Sequence, residues 1–206
     1  MLTQCPYYVN VIKVMIEPGF RQKAGITKRA NTRDVFLGTA TGAFSELAYP
    51  DITVEDIARR SGKSVPTFYN FFTAKSAWGA AVLDQHLNDA LDQQTAIEAE
   101  TVRTPHAHLL GHFGLLAQVS APLPGITQAL SDEHNGTQRP YSALVPRYYG
   151  EVTQALQGGQ EQHVFRHDMS VGEMADVAIC GLAAAYAIHL GDPMARTILN
   201  GFMARE

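Results

Sequence analysis

Apolar positions recur at helical spacing along most of the chain after residues 1–31, where Tyr7 to Ile16 is apolar and β-branched without a clear period. Val35, Phe36, Ala40, Ala43, Phe44 and Leu47 predict a helix over 32–49, capped by Thr32 and closed by Pro50 and Asp51. A second helix starts at Val54, Ile57 and Ala58. Thr53 before it offers a hydroxyl to an orphan amide, and Asp56 makes a weak capping box. It ends near Ser61, because Gly62 tolerates the left-handed conformation that follows a helix. Ser64 caps a third helix, Pro66 falls in its first turn where a missing N–H is harmless, and Phe68 and Phe72 give it one buried face. A fourth begins after Phe72, with Thr73 as cap, and reaches about Leu91.

The remainder is helical by the same criterion. Helices are predicted over 105–119, 126–133, 140–156, 170–190 and from Pro193 through Phe202. Pro122 to Gly125 breaks the chain, His134-Asn135-Gly136 reads as a loop, Gly158-Gly159 as a helix end, and Ser170 as a cap. On the 170–190 helix, Ala178, Gly181, Ala184 and Ala185 form a small-residue face that another helix backbone could approach closely. The fold class is therefore all-α.

Two short helices joined at Gly62 by a linker too short for antiparallel packing form a helix-turn-helix, whose second helix enters the DNA major groove. Val65, Thr67, Tyr69 and Asn70 point away from the Phe68/Phe72 face, and Lys63 sits in the turn. Hydroxyls, an amide and a cation suit phosphates and base edges.

Charge agrees. Residues 1–78 carry ten Lys and Arg against six Asp and Glu, a surplus of four positive charges within a chain whose net charge is −4. All five lysines lie there, and all eight histidines lie beyond it. A basic end suits a polyanion.

Ile57-Ala58, Ser61-Gly62, Ser64, Thr67-Phe68-Tyr69, Phe72 and Lys75, with Ala40, Phe44 and Tyr49 upstream, resemble the DNA-binding signature of the TetR-family transcriptional regulators. The resemblance covers roughly residues 32–87. It departs from the family pattern at Lys63, Pro66 and Phe71, which bear on the operator read, and at Ala48. It implies an N-terminal three-helix helix-turn-helix domain over 32–87 and a C-terminal helical bundle over 88–206 that senses ligand and dimerises. Residues 1–31 would be a tail or a basic arm carrying Arg21, Lys23, Lys28 and Arg29. The implied partners are double-stranded DNA with a palindromic operator, a small-molecule effector, and a second copy bound through the last two helices.

Thr53, Thr67, Tyr69 and Lys75 are the candidates for phosphate contact; Lys63, Ser64, Val65, Pro66 and Asn70 are those for base edges. For a largely apolar effector the candidate lining is His112, Phe113, Leu116, Tyr148, Tyr149, Val152 and Tyr186. No catalytic constellation, cofactor motif or closed metal-ligand spacing is present; His108 and His112 lie four apart without a helpful third ligand. No apolar run approaches bilayer length, and Cys5 and Cys180 are too few for a disulfide framework, so a cytoplasmic regulator is the expectation. The alternative from another class is a helical small-molecule- or metal-binding protein that does not act on DNA.

Overall fold

The computed structural model describes residues 28–98, 104–187 and 191–204. The arm sequence before Lys28, the side chains of Lys28 and Arg29, and the predicted helix end at Leu190 lie outside the described residues. The chain divides into residues up to Asp34, of which the described part is the first turns of one helix, and residues from Val35 onward, where all the packing below lies.

Helix α1 runs Lys28–Gly38 and α2 runs Ala40–Phe44. The sequence predicts one unbroken helix from Thr32 to Tyr49, so both ends are corrected. The interruption has a local cause. The Thr39 hydroxyl donates to the Phe36 carbonyl at 2.7 Å, and Ser45 does the same to Gly42 at 2.9 Å. Side-chain hydroxyls thus compete for helix carbonyls. Tyr49 sits instead in a 3-10 turn, Tyr49–Asp51, and is buried. Helix α3 (Val54–Ser61) and α4 (Val65–Tyr69) follow as predicted. Phe36 holds them, with its ring edge-on to Phe68 at 5.6 Å and to Phe72 at 6.2 Å.

Helix α5 spans Lys75–Glu98, well past Leu91. The added residues are mostly polar but include good helix formers and no breaker. Arg147 fastens this stretch by pairing with Asp92 at 2.7 Å and donating to the Asn88 carbonyl. Trp78 closes the core around Phe36 and Phe44: its ring stacks on Phe44 at 6.1 Å, and its indole N–H donates to the Phe36 carbonyl at 3.0 Å.

The bundle continues with α6 (Pro105–Ser120), capped by Thr104. Helix α7 (Ile126–Thr137) swallows the predicted loop at 134–136. Thr137 bonds back to the Glu133 carbonyl at 2.6 Å, and Gln138, not a glycine, takes the left-handed turn at φ 56°. Helices α8 (Tyr141–Leu144) and α9 (Pro146–Glu161) replace one predicted helix. The break falls at Val145, where the ring of Pro146 pushes the preceding residue out of the helical region; it has φ −134° and ψ 63°. Gly158-Gly159 does not end α9. A Cβ on Gly159 would sit 2.0 Å from the Phe165 ring, so this glycine exists for close packing. Helix α10 (Val171–Ala187) begins with a full capping box between Ser170 and Glu173. Helix α11 is Gly191–Phe202. Among the described residues the extended pairing amounts to one bridge, Phe165 to Met203.

Candidate nucleic-acid interface

Local chemistry builds the turn between α3 and α4. The Thr53 hydroxyl accepts from the Asp56 amide at 3.1 Å, and the Asp56 carboxylate accepts from the Thr53 amide at 3.3 Å. Arg59, bonded to Asp56 at 2.9 Å, holds that carboxyl below its usual range, at about 2, with Thr53 assisting. At the other end Gly62 adopts φ 65°, and the amides of Gly62 and Lys63 return to the carbonyls of Arg59 and Ala58. That paired closure needs a left-handed residue. Ser64 then caps α4, accepting from the Thr67 amide at 3.3 Å.

The consequence is a two-sided helix. Phe68 and Phe72 are fully inside, while Tyr69, between them in sequence, is 53% exposed and touches Phe68 only edge-on. Of the nine predicted DNA-contact residues, Thr53, Lys63, Ser64, Pro66, Tyr69 and Asn70 are exposed, and Val65, Thr67 and Lys75 are half-buried. Thr67 shares its hydroxyl with Ser64 at 2.8 Å.

Lys75 is placed differently from its neighbours. Its ammonium donates to the carbonyls of Tyr49 at 2.9 Å and Pro50 at 3.1 Å, and lies 4.5 Å from the centre of the Tyr49 ring. Burial lowers its pKa, against the pull of Asp132 and Asp51. A lysine read from sequence as a phosphate ligand thus already has two structural bonds. Arg60 is likewise turned inward, paired with Glu46 and bonded to the Gly42 carbonyl.

The seven candidate effector residues lie on α6, α9 and α10, which pack together. His112, Phe113, Leu116, Tyr148 and Val152 are buried; Tyr149 and Tyr186 are partly so. The Tyr148 hydroxyl donates to the His112 carbonyl at 2.9 Å and that of Tyr186 to the Phe113 carbonyl at 3.0 Å. Tyr149 departs from this set, donating to Gly172 at the start of α10. The His108 and His112 rings lie 4.7 Å apart. Among the described residues no group of three or more His, Cys, Asp or Glu is placed to hold a metal ion, and no helix is long and apolar enough to cross a membrane.

Sequence reading missed one set of residues altogether. Glu133, Gly79, Pro124 and Gly125 meet the Tyr49 turn and the start of α5, and nothing in their spacing signals it.

No family model matches the chain, and no curated protein does. Among solved structures it is similar to Thermus thermophilus FadR, a TetR-family transcriptional repressor in complex with lauroyl-CoA. The TM-score is 0.57 at 19% identity, over 84% of this chain and 96% of that one. The fold is that of the TetR-type regulators. A putative transcriptional regulator from Saccharomonospora viridis in complex with choline (TM-score 0.49, 22% identity, 85% and 100% covered) is also similar. So is a putative TetR-family regulator from Mesorhizobium loti (0.47, 17%, 87% and 100%).

Proposed function

We propose that the protein is a sequence-specific DNA-binding transcriptional regulator, a homodimer that represses by occupying a palindromic operator and is released by a small, largely apolar ligand. One observation carries the reading: the polar side of α4 stands in solvent, uncovered by any described later helix, while its phenylalanines are buried. Such a short helix buries little surface on a duplex, so two copies spaced about 34–36 Å apart, in successive major grooves, supply the affinity.

Residues 32–87 act as the DNA-binding domain and 88–206 as the sensing and dimerising one, with continuous α5 crossing the boundary. For the dimer, Val177, Cys180 and Ala184 make an exposed strip on α10, with Val177 49% exposed. Ala178 and Ala185 face inward, and Ile198 of α11 closes on Gly181. The strip is where a second copy would seat its own α10 and α11. For the ligand, the buried aromatic and histidine set on α6, α9 and α10 supplies apolar walls, and the similar FadR holds lauroyl-CoA.

The test is selection of bound duplexes from genomic fragments, followed by affinity measured across salt. Operator affinity falls steeply with salt. Tyr69→Phe and Lys63→Ala both weaken binding while leaving the fold intact. If both bind the selected duplex like the parent, this docking face is wrong.

A further inference from the structure

The bundle grips the DNA-binding unit at the beginning of α5, and the grip has three points along α7 and the loop before it. The Pro124 carbonyl accepts from the Tyr49 amide at 2.8 Å. Beside it Gly125 is left-handed at φ 77°, and a Cβ there would lie 3.1 Å from the Pro50 ring. One turn into α7, Ala129 meets Gly79 of α5, where a Cβ would be 2.5 Å from that of Ala129 and 2.9 Å from the Tyr49 ring. A further turn on, the Glu133 carboxylate accepts from the Ser76 hydroxyl at 2.7 Å, with Arg139 at 3.8 Å. Glu133 is 1% exposed. From the other side, Lys75 holds the carbonyls of Tyr49 and Pro50.

The turn that joins α2 to α3 is therefore clamped between α5 and α7. Two of the contacts are bared by glycine and have no slack. The third is a buried carboxylate, a residue type that is almost never fully buried without partners. It sits at the N-terminal end of α5, where the helix dipole favours an anion. We propose that Glu133 is the positioning residue that fixes the DNA-binding unit on the bundle, so that displacing α7 re-aims α4. This rests on the regulator reading above. The glycine contacts transmit displacement because they cannot compress. The Glu133–Ser76 bond decides which pose is held, since it is directional and can be removed without a change of volume.

The experiment compares Glu133→Met, Glu133→Gln and Ser76→Ala with the parent, using the full chain and a duplex recovered by selection. Glutamine keeps the shape and an acceptor for Ser76, so Glu133→Gln stays close to the parent. Glu133→Met and Ser76→Ala shift operator affinity by about 5–150-fold, the usual range of coupling between sites, with helix content and dimer formation retained. Leu156→Ala, in the bundle core away from the grip, is the stability control. If it lowers affinity as much for the same loss of melting temperature, or if Ser76→Ala binds as the parent does, Glu133 has no positioning role. Hydrogen exchange in free protein separates this from a failure of the regulator reading. Even if no duplex binds, Ser76→Ala speeds exchange of the Tyr49 amide and leaves the middle of α9 unchanged; unchanged exchange at Tyr49 overturns the proposal.

Discussion

Two tyrosines mark the contrast between the helix-turn-helix and the bundle. Tyr69 projects from a five-residue helix with half its surface in solvent, while Tyr148 is sealed among α6, α9 and α10 and spends its hydroxyl on a backbone carbonyl. Burial raises the Tyr148 pKa well above the usual phenol range, with Tyr186 adding to it. In the first region the backbone is satisfied locally, by caps and a left-handed glycine, and side chains are left over for a partner. In the second, side chains are consumed in holding the core, so their chemistry says less about what they meet.

The largest effect that tests this contrast is Phe68→Ala. It removes the buried anchor of α4 and should destabilise by about 3–5 kcal/mol, read by denaturant unfolding. A much smaller loss would mean α4 does not depend on that anchor. Next is Gly62→Ala, which forces a Cβ into the left-handed region and should cost about 1–2 kcal/mol, visible in the same unfolding curves. Tyr148→Phe should cost about 1 kcal/mol through the lost bond to His112. Tyr69→Phe should leave stability within about 0.5 kcal/mol and reduce operator affinity instead. If Tyr69→Phe destabilises as much as Tyr148→Phe does, the contrast fails.

The smallest effect is in acid. The bonds from Arg59 and Thr53 hold the Asp56 carboxyl at about 2 in the folded chain, below the usual carboxylate range, so its contribution is present above pH 4. It is lost as pH falls through 3 toward about 2. Asp56→Asn should flatten that part of the acid-unfolding profile, followed by circular dichroism.

How much was legible divides along the same line. Thr53 with Asp56, Gly62 and Ser64 act within three residues of themselves, and sequence alone placed their helices. The break at Thr39 came from a hydroxyl competing for one carbonyl, which apolar periodicity does not register. Gly159 reads as a stop because glycine usually signals one; its reason, Phe165, lies beyond the end of its own helix. Lys75 stands in the signature as a phosphate candidate, while its carbonyl partners lie some 25 residues earlier in the chain. Glu133 does no more in the sequence than end the predicted helix over 126–133, since only a contact 57 residues away gives it meaning.

The chain contains a single tryptophan, and Trp78 is wholly enclosed between α5 and the first helices, with its ring on Phe44. Intrinsic emission excited in the red edge of the indole band therefore comes from that seam alone. It offers a label-free optical probe of how the helix-turn-helix sits on the long helix that follows it, silent to most rearrangements deep in the bundle.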